Sequence, residues 1–332
     1  MSAEIPAGAM RFNSDSQKLE YWNGSAWFQI HTATPNLASA GDRQPGTRGV
    51  IVGGLDDPSS EDSMNYINIS STGNAIDFGD LSSARYYGAG FGSRTHGFIA
   101  GMAPGSTNVE RWVVASTGSS ADFSNLSQTR WYNPAGMSNS TRGVIAGGDR
   151  SDIEYITMSS TATGVDFGDL VSGTVQYSSG SGSSTRGIIV VGNDHPAASN
   201  TVEFITLSTL GNAQDFGDVT NSEGDGPFSC SNSVRTVRGG GGFPAGTVTI
   251  DYATIATLGN YADFGDLTQS RYSADGVASP TRGVFAGGAA HPSYYNTIDY
   301  VQIMTTGNAV DFGDLLYEGN YLSGASNAHG GL

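Results

Sequence analysis

One phrase is written six times along this chain of 332 residues, and it limits the fold more than any other feature. The clearest copies are IDYVQIMTTGNAVDFGDL, ending at Leu315, IDYATIATLGNYADFGDL, ending at Leu267, and VEFITLSTLGNAQDFGDV, ending at Val219. The anchor aspartates are Asp77, Asp122, Asp166, Asp215, Asp263 and Asp311, at successive spacings of 45, 44, 49, 48 and 48 residues. Eleven residues before each anchor stands Tyr66, Arg111, Tyr155, Phe204, Tyr252 or Tyr300, so copy two alone breaks an aromatic rule. A second phrase precedes each copy: TRGVIVGG from Thr47, THGFIAGM from Thr95, TRGVIAGG from Thr141, TRGIIVVG from Thr185, a degraded VRTVRGGG from Val234, and TRGVFAGG from Thr281. Self-similarity at such a period marks a repeat architecture, in which a unit buries its apolar surface only by stacking on its neighbours.

Each repeat reads as four short strands. RGVFAGG is an apolar run stopped by a glycine pair. TIDYVQIM alternates, with Asp299, Val301 and Ile303 on one side and Ile298, Tyr300 and Gln302 on the other. TTGNA is turn chemistry, VDFGDL a further strand with a buried Phe, and LTQSRYSADGVAS the last strand before the cycle restarts. No stretch carries a helical period. Glycine, 48 of 332 residues, is about double its usual share and suits short strands joined by tight turns. Four strands in about 47 residues is the arithmetic of a propeller blade. The expectation is an all-β protein with a six-bladed β-propeller over residues 47–332. The first copy lacks the strand that should precede its TRG run, while the chain continues through EGNYLSGASNAHGGL. Residues 318–327 are therefore expected to pair into the first blade and close the ring, removing two open sheet edges.

The layout resembles kelch repeats over residues 40–332. Arg85, Arg130 and Arg271 take the place of the kelch arginine, and Gly53-Gly54, Gly147-Gly148 and Gly287-Gly288 supply the glycine doublet. Tyr66, Tyr155, Tyr252 and Tyr300 supply the following aromatic. The last-strand Trp of kelch is absent, and Phe78, Phe123, Phe167, Phe216, Phe264 and Phe312 stand in its place.

Residues 1–35 do not repeat. Met10 to Asn13, Lys18 to Trp22 and Ser25 to Ile30 read as a β-meander, with a polar turn at 14–17 and the strong hairpin signal Asn23-Gly24. So small a sheet is barely stable alone and must lean on something. Residues 36–46 read as a linker. The segment resembles a module of bacteriophage tail fibres and related virion proteins, through Arg11, Phe12, Asn13, Leu19, Glu20, Tyr21, Gly24 and Trp27. The TTGNAxDFGDL phrasing also looks like repeats of phage tail proteins. This resemblance implies a structural virion component of a tailed phage, a tail fibre or tail-associated protein. It would dock on other tail proteins through Arg11, Phe12, Leu19, Tyr21, Trp22 and Trp27, and present the propeller for host attachment.

Charge bounds the partners. Acidic residues outnumber basic ones by 31 to 15, for a formal net charge of −16, so nucleic acid and anionic membrane surfaces are disfavoured. No apolar run spans a membrane and no secretory signal is read at the N-terminus, so synthesis in a cytosol is expected; the resemblance to phage tail proteins implies a host cytoplasm and a place in the virion. One cysteine, Cys230, excludes an internal disulfide framework and a multi-cysteine zinc site. His31, His96, His195, His291 and His329 show no metal-ligand spacing, and no cofactor or metal is expected. DFGD is read as structure rather than catalysis because it recurs: its aspartates are expected to cap turns. The TRG arginines Arg48, Arg142, Arg186, Arg235 and Arg282 are expected to pair with Glu110, Glu154, Glu203, Asp251 and Asp299. What varies between repeats is the loop after the glycine pair, and loops on a rigid scaffold are where recognition resides. There His291, Tyr294 and Tyr295 form the most contact-ready group for a host glycan or protein. The reading is non-enzymatic, with homo-oligomerisation left open. Its rivals are a propeller glycan depolymerase and a bacterial kelch-like interaction scaffold.

Overall fold

The computed structural model describes residues 6, 8–13, 18–29, 48–56, 59–103, 105–193, 197–222 and 224–327; the expected linker and the end of the C-terminal tail lie outside them. The chain forms two compact units, 1–44 and 45–332. Every regular element among the described residues is a β-strand.

The first unit is a three-stranded antiparallel meander: β1 (Met10–Asn13), β2 (Lys18–Trp22) and β3 (Trp27–Gln29), in that order. Asn23 builds the β2–β3 turn, its Oδ1 accepting from the backbone N–H of Ser25 and Ala26, both at 2.8 Å.

The second unit is propeller-like: six four-stranded antiparallel sheets. Sheet 2 shows the plan, pairing Ala89–Gly92, His96–Ala100, Ser106–Val113 and Ala121–Arg130 in chain order. Sheets 3 to 6 repeat it, with first strands Ala135–Ser138, Ser179–Gly182, Phe228–Ser231 and Asp275–Ala278. Sheet 1 takes Arg48–Val52, Ser63–Asn68 and Ile76–Asp80 from the start of the unit and its first strand, Ser323–Ser326, from the end. Ser323 pairs with Val52 and Ser326 with Gly49, so the C-terminal segment does enter the first sheet.

The core is divided into six apolar clusters, each shared by consecutive sheets. Val144, Phe167, Ile189 and Ile205 join sheets 3 and 4, and Ile51, Ile67, Val284 and Phe312 join sheet 1 to sheet 6. The DFGD motif explains how each sheet reaches the next. A register shift recurs beside it in every sheet, as between Ile153 and Glu154, where Phe167 is the extra residue. A bulge of this kind re-aims a side chain, and here it drives the Phe into the inter-sheet core. The following glycine bends away at φ about +150° (Gly168), so close to Gly211 of sheet 4 that a Cβ would lie 2.5 Å from its carbonyl carbon.

The backbone then clasps the neighbour. Gly211 N–H donates to Phe167 O at 2.8 Å, Ala213 N–H donates to Asp169 O at 2.8 Å, and Asp169 N–H donates to Asn212 Oδ1 at 3.1 Å. The same three bonds join sheet 6 to sheet 1: Gly73 to Phe312 O, Ala75 to Asp314 O, and Asp314 N–H to Asn74 Oδ1. The motif's first aspartate is exposed at all six copies. The expectation that these carboxylates cap turns is therefore corrected: the backbone and the bulged Phe do the work.

The arginine pairing needs a second correction. The TRG arginines do not reach the recurring acids. Their guanidinium groups lie over the aromatic of the same sheet, Arg48 on Tyr66 at 4.6 Å, Arg142 on Tyr155 at 4.7 Å, Arg186 on Phe204 at 4.5 Å, Arg235 on Tyr252 at 4.4 Å and Arg282 on Tyr300 at 4.6 Å. Each also donates to a carbonyl of the following sheet, as Arg142 does to Leu207 O at 3.1 Å and Arg282 to Ile69 O at 3.2 Å. Copy two swaps the positions: His96 replaces the arginine, Arg111 replaces the tyrosine, and the cation lies over Phe123 at 4.6 Å. A cation over a ring is thus kept in copy two, on the motif Phe in place of the third-strand aromatic.

The buried acids serve another junction. Each accepts a backbone N–H from the loop leaving the previous sheet: Glu154 from Ser127 at 2.7 Å, Glu203 from Ser172 at 2.7 Å, Asp299 from Thr268 at 3.2 Å. Asn65 holds the same place in sheet 1 and accepts from Leu316 at 3.1 Å. Four of the five acids are also ion-paired, Glu110 with Arg85, Glu154 with Arg130, Asp251 with Arg238 and Asp299 with Arg271, all buried. Burial alone would raise the Glu110 pKa, but hydrogen bonds from Ser120 and Ser82 and the charge of Arg85 outweigh it and hold the carboxyl below its usual range.

Candidate functional site

The six first strands approach so closely that side chains do not fit between them. A Cβ on Gly136 would lie 2.3 Å from Gly90 O, and one on Gly180 2.2 Å from Gly136 O. They surround small cavities of about 30 Å³, one of them lined by Gly88, Asn133, Ser178, Ser179 and Asp275. Asp275 is half-buried there. Removal from water pushes its pKa up to about 7, against the opposing pull of the Gly276 and Gly324 N–H groups.

At one end of these strands the chain passes into the TRG runs through five tight turns and, in sheet 1, across the contact of Asn327 with Arg48. Each carries a capping side chain: Ser93, Asn139, Ser183, Asn232, Ser279 or Asn327. Asn139 Oδ1 accepts from Thr141 N–H at 2.9 Å and Arg142 N–H at 2.8 Å. This end is nearly uniform.

The other end is not. There the loops entering the first strands meet the loops after the glycine pairs, through bonds such as Gly54 N–H to Arg85 O and Ala103 N–H to Tyr86 O. Tyr87, Tyr132, Tyr177 and Tyr321, from four different loops, converge. Ring centroids are 4.2 Å apart for Tyr87–Tyr321, 5.7 Å for Tyr87–Tyr132 and for Tyr87–Tyr177, 5.5 Å for Tyr132–Tyr177 and 6.3 Å for Tyr177–Tyr321. Trp131 lies against Tyr132 at 4.2 Å and Tyr86 against Tyr87 at 4.8 Å. Tyr177 and Tyr321 are the polar neighbours of the Tyr87 hydroxyl. Burial first, then these neighbours, raises the Tyr87 pKa well above the ordinary phenol range, and burial raises those of Tyr177 and Tyr321 too. All three are neutral donors and acceptors at physiological pH.

These tyrosines are held in an unusual backbone conformation, with φ of 65°, 54°, 52° and 54°. A left-handed bulky residue costs about 1 kcal/mol or more. The equivalent positions in the remaining loops are Gly226 at φ 73° and Ser273 at 53°, so the fold needs the angle but not the ring. The backbone bonds explain the angle: Tyr321 N–H reaches Ser273 O at 2.8 Å, and Ser273 N–H reaches Gly226 O at 2.7 Å.

Around the rings stand polar groups. Asp225 is half-buried beside Tyr177, Tyr272 and Tyr321, and accepts from Asn193 Nδ2 at 3.3 Å. Burial raises its pKa, against the pull of Asn193. Burial also raises the Tyr272 pKa to about 12. Gln176 Nε2 donates to Asp149 Oδ1 at 2.7 Å. Among the described residues, the arginines at this end are Arg85, Arg130, Arg150, Arg238 and Arg271, each ion-paired with a carboxylate.

With this geometry the comparisons can be placed. No family model matches the chain, and no curated protein is similar to it. The solved structure of YjhT is similar, with a TM-score of 0.60 and 12% identity over 75% of this chain and 90% of that one. That likeness concerns the fold alone, all-β and propeller-like.

The residues singled out in the sequence occupy two regions. His291 and Tyr294 lie on the hairpin formed by Ala289–Ala290 and Ser293–Tyr294, with Tyr295 just after it. The His291 ring is 6.4 Å from exposed Phe243, which meets Tyr272 at 5.4 Å, and Tyr272 lies 6.4 Å from Tyr321. They therefore stand at the rim of the tyrosine end. The converging tyrosines themselves were missed, although an aromatic near the start of RYYGAG, RWYNPAG, QYSSGSG and NYLSGAS was there to be seen.

The six docking residues divide between two faces of the meander. Arg11 pairs with Glu20 at 2.9 Å and lies over Trp27 at 4.2 Å, and Trp27 packs on Trp22 at 5.5 Å. The register puts Met10, Phe12, Leu19, Tyr21 and Phe28 on the opposite face. Met10, Phe12, Tyr21 and Phe28 are exposed, Phe12 by 66%; the Leu19 side chain lies outside the described residues.

Proposed function

We propose that the six sheets are the blades of a closed, kelch-like propeller, latched by Ser323–Ser326, in a non-enzymatic virion protein of a tailed phage. In this reading the chain is a tail fibre or tail-associated component that docks through the N-terminal meander and turns the tyrosine end of the propeller toward the host surface. Closure is supported by the junction of sheets 6 and 1, which repeats the core cluster, backbone clasp and acid cap of the other junctions. The phage assignment rests on the resemblance of the meander and the repeat phrasing to phage tail proteins. The observation that carries docking is the bare apolar face of Met10, Phe12, Tyr21 and Phe28 on a sheet of only three strands. So much exposed apolar surface on so small a sheet is the mark of an interaction site. A scaffold role is supported by the recurring residues, which are engaged in joining sheets.

The test is assembly. Phe12→Ser with Phe28→Ser should leave the propeller folded and reduce incorporation into particles at least tenfold, measured by quantitative mass spectrometry of purified virions. Full incorporation of the double variant would sink the docking role, and absence of the wild-type chain from particles would sink the virion reading.

A further inference from the structure

We propose that the converging tyrosines form a binding site for a neutral saccharide, with Tyr87, Tyr132, Tyr177 and Tyr321 as its floor and Asp225 at its edge. The inference rests on the host-attachment reading for its choice of ligand source and goes beyond it in naming the site and the chemical class.

Three observations carry it. First, the rings occupy left-handed positions where Gly226 and Ser273 serve the same backbone geometry in the other loops. The backbone there needs the angle and not the ring, and strain of this kind accumulates at functional sites. Second, three buried polar atoms on the same loops have no hydrogen-bond partner: Ser178 Oγ, next to Tyr177; Ser273 Oγ; and Asn320 Oδ1, next to Tyr321. Ser178 is 1% exposed and lines the small cavity between the first strands, as do Gly88, Asn133 and Leu322, the residues that follow Tyr87, Tyr132 and Tyr321. Buried groups left unpaired are costly and mark places where a ligand or water completes the site. Third, the chemistry is selective. Half-buried tyrosines offer apolar faces to sugar C–H groups and neutral hydroxyls to sugar oxygens, at small entropic cost. The Asp225 carboxylate accepts from sugar hydroxyls. Every arginine described at this end is already matched by a carboxylate, and the chain carries −16, so a sialylated, sulfated or phosphorylated ligand finds no spare cation.

Saturation-transfer NMR on the full chain, with neutral oligosaccharides of glucose, galactose and mannose and with sialyllactose as the anionic control, reads the proposal directly. At least one neutral series should show transfer and sialyllactose none. Tyr177→Gly should weaken the neutral ligand at least tenfold while the melting temperature moves by no more than about 3 °C. Asp225→Asn, a second variant, should weaken it about threefold or more. Silence from every neutral series, preference for sialyllactose, or unchanged binding by Tyr177→Gly overturns the site. Tyr177-dependent capture from bacterial surface extracts that survives periodate but not protease overturns it too, because the occupant is then a protein. Sugar binding lost in Tyr177→Gly, by a chain that is absent from particles, upholds the site and sinks the attachment reading alone.

Discussion

The two ends of the first strands are made from the same repeat and solve different problems. At one end, five turns and the Asn327–Arg48 contact carry the same device, a Ser or Asn side chain accepting from the backbone N–H at the start of the next strand. At the other, six loops differ in length and content and bring four tyrosines together in a backbone conformation they disfavour. Uniformity tracks cohesion, and irregularity marks the end at which we propose recognition. Side chains that recur, such as Phe167, Arg142 and Glu154, are spent on joining neighbouring sheets; those that do not recur at every copy are free to meet something else.

The contrast breaks most completely where the first strands meet. Gly136→Val would drive a side chain into Gly90 O, 2.3 Å from the first added carbon. The expected result is insoluble protein or loss of the β signal in circular dichroism, a cost beyond about 4 kcal/mol. A cooperative, wild-type-like melt would show that the sheets are not in contact there. Next comes the acid cap. Glu110→Ala strands the buried Arg85 guanidinium and should cost about 3–5 kcal/mol in urea unfolding, with the m-value unchanged.

How much of this was legible depends on whether the signal is local. The period, the DFGD strand with its buried Phe, and the C-terminal strand were readable because each is written in adjacent residues; the bulge in that strand was not. The partners of Arg142 and Glu154 were not: both motifs recur in step, so spacing alone pairs them, whereas the inter-sheet geometry sends the arginine to an aromatic and a carbonyl. Gly90, Gly136 and Gly180 looked like ordinary strand glycines until the neighbouring backbone was seen beside them. The tyrosines were hidden for the same reason. Tyr87 and Tyr321 lie 234 positions apart in sequence and 4.2 Å apart as rings.

Acidity sharpens the comparison along the axis. The Asp275 pKa in the fold is raised above its unfolded value, so between about pH 4 and 7 the folded state holds a proton that the unfolded state has lost. Stability from this group is fully present below about pH 4 and declines as pH rises to about 7, with a slope of at most about 1.4 kcal/mol per pH unit. Asp275→Asn should flatten chemical denaturation midpoints across that window; an unchanged slope would show that the cavity is wetter than its lining implies. The smallest expected effect is at the uniform end. Asn139→Ala removes two backbone hydrogen bonds and should cost about 1–2 kcal/mol in thermal unfolding while leaving sugar binding untouched, the reverse of Tyr177→Gly.

Hydrogen exchange at the junction of sheets 6 and 1 tests the closed ring most directly. Gly73 and Ala75 donate to Phe312 and Asp314 as Gly211 and Ala213 donate to Phe167 and Asp169. With the ring closed, all four amides exchange with protection factors within about tenfold of one another, set by the same cooperative opening. Fast exchange of Gly73 and Ala75 beside slow Gly211 and Ala213 would mean that the first and last sheets do not hold each other.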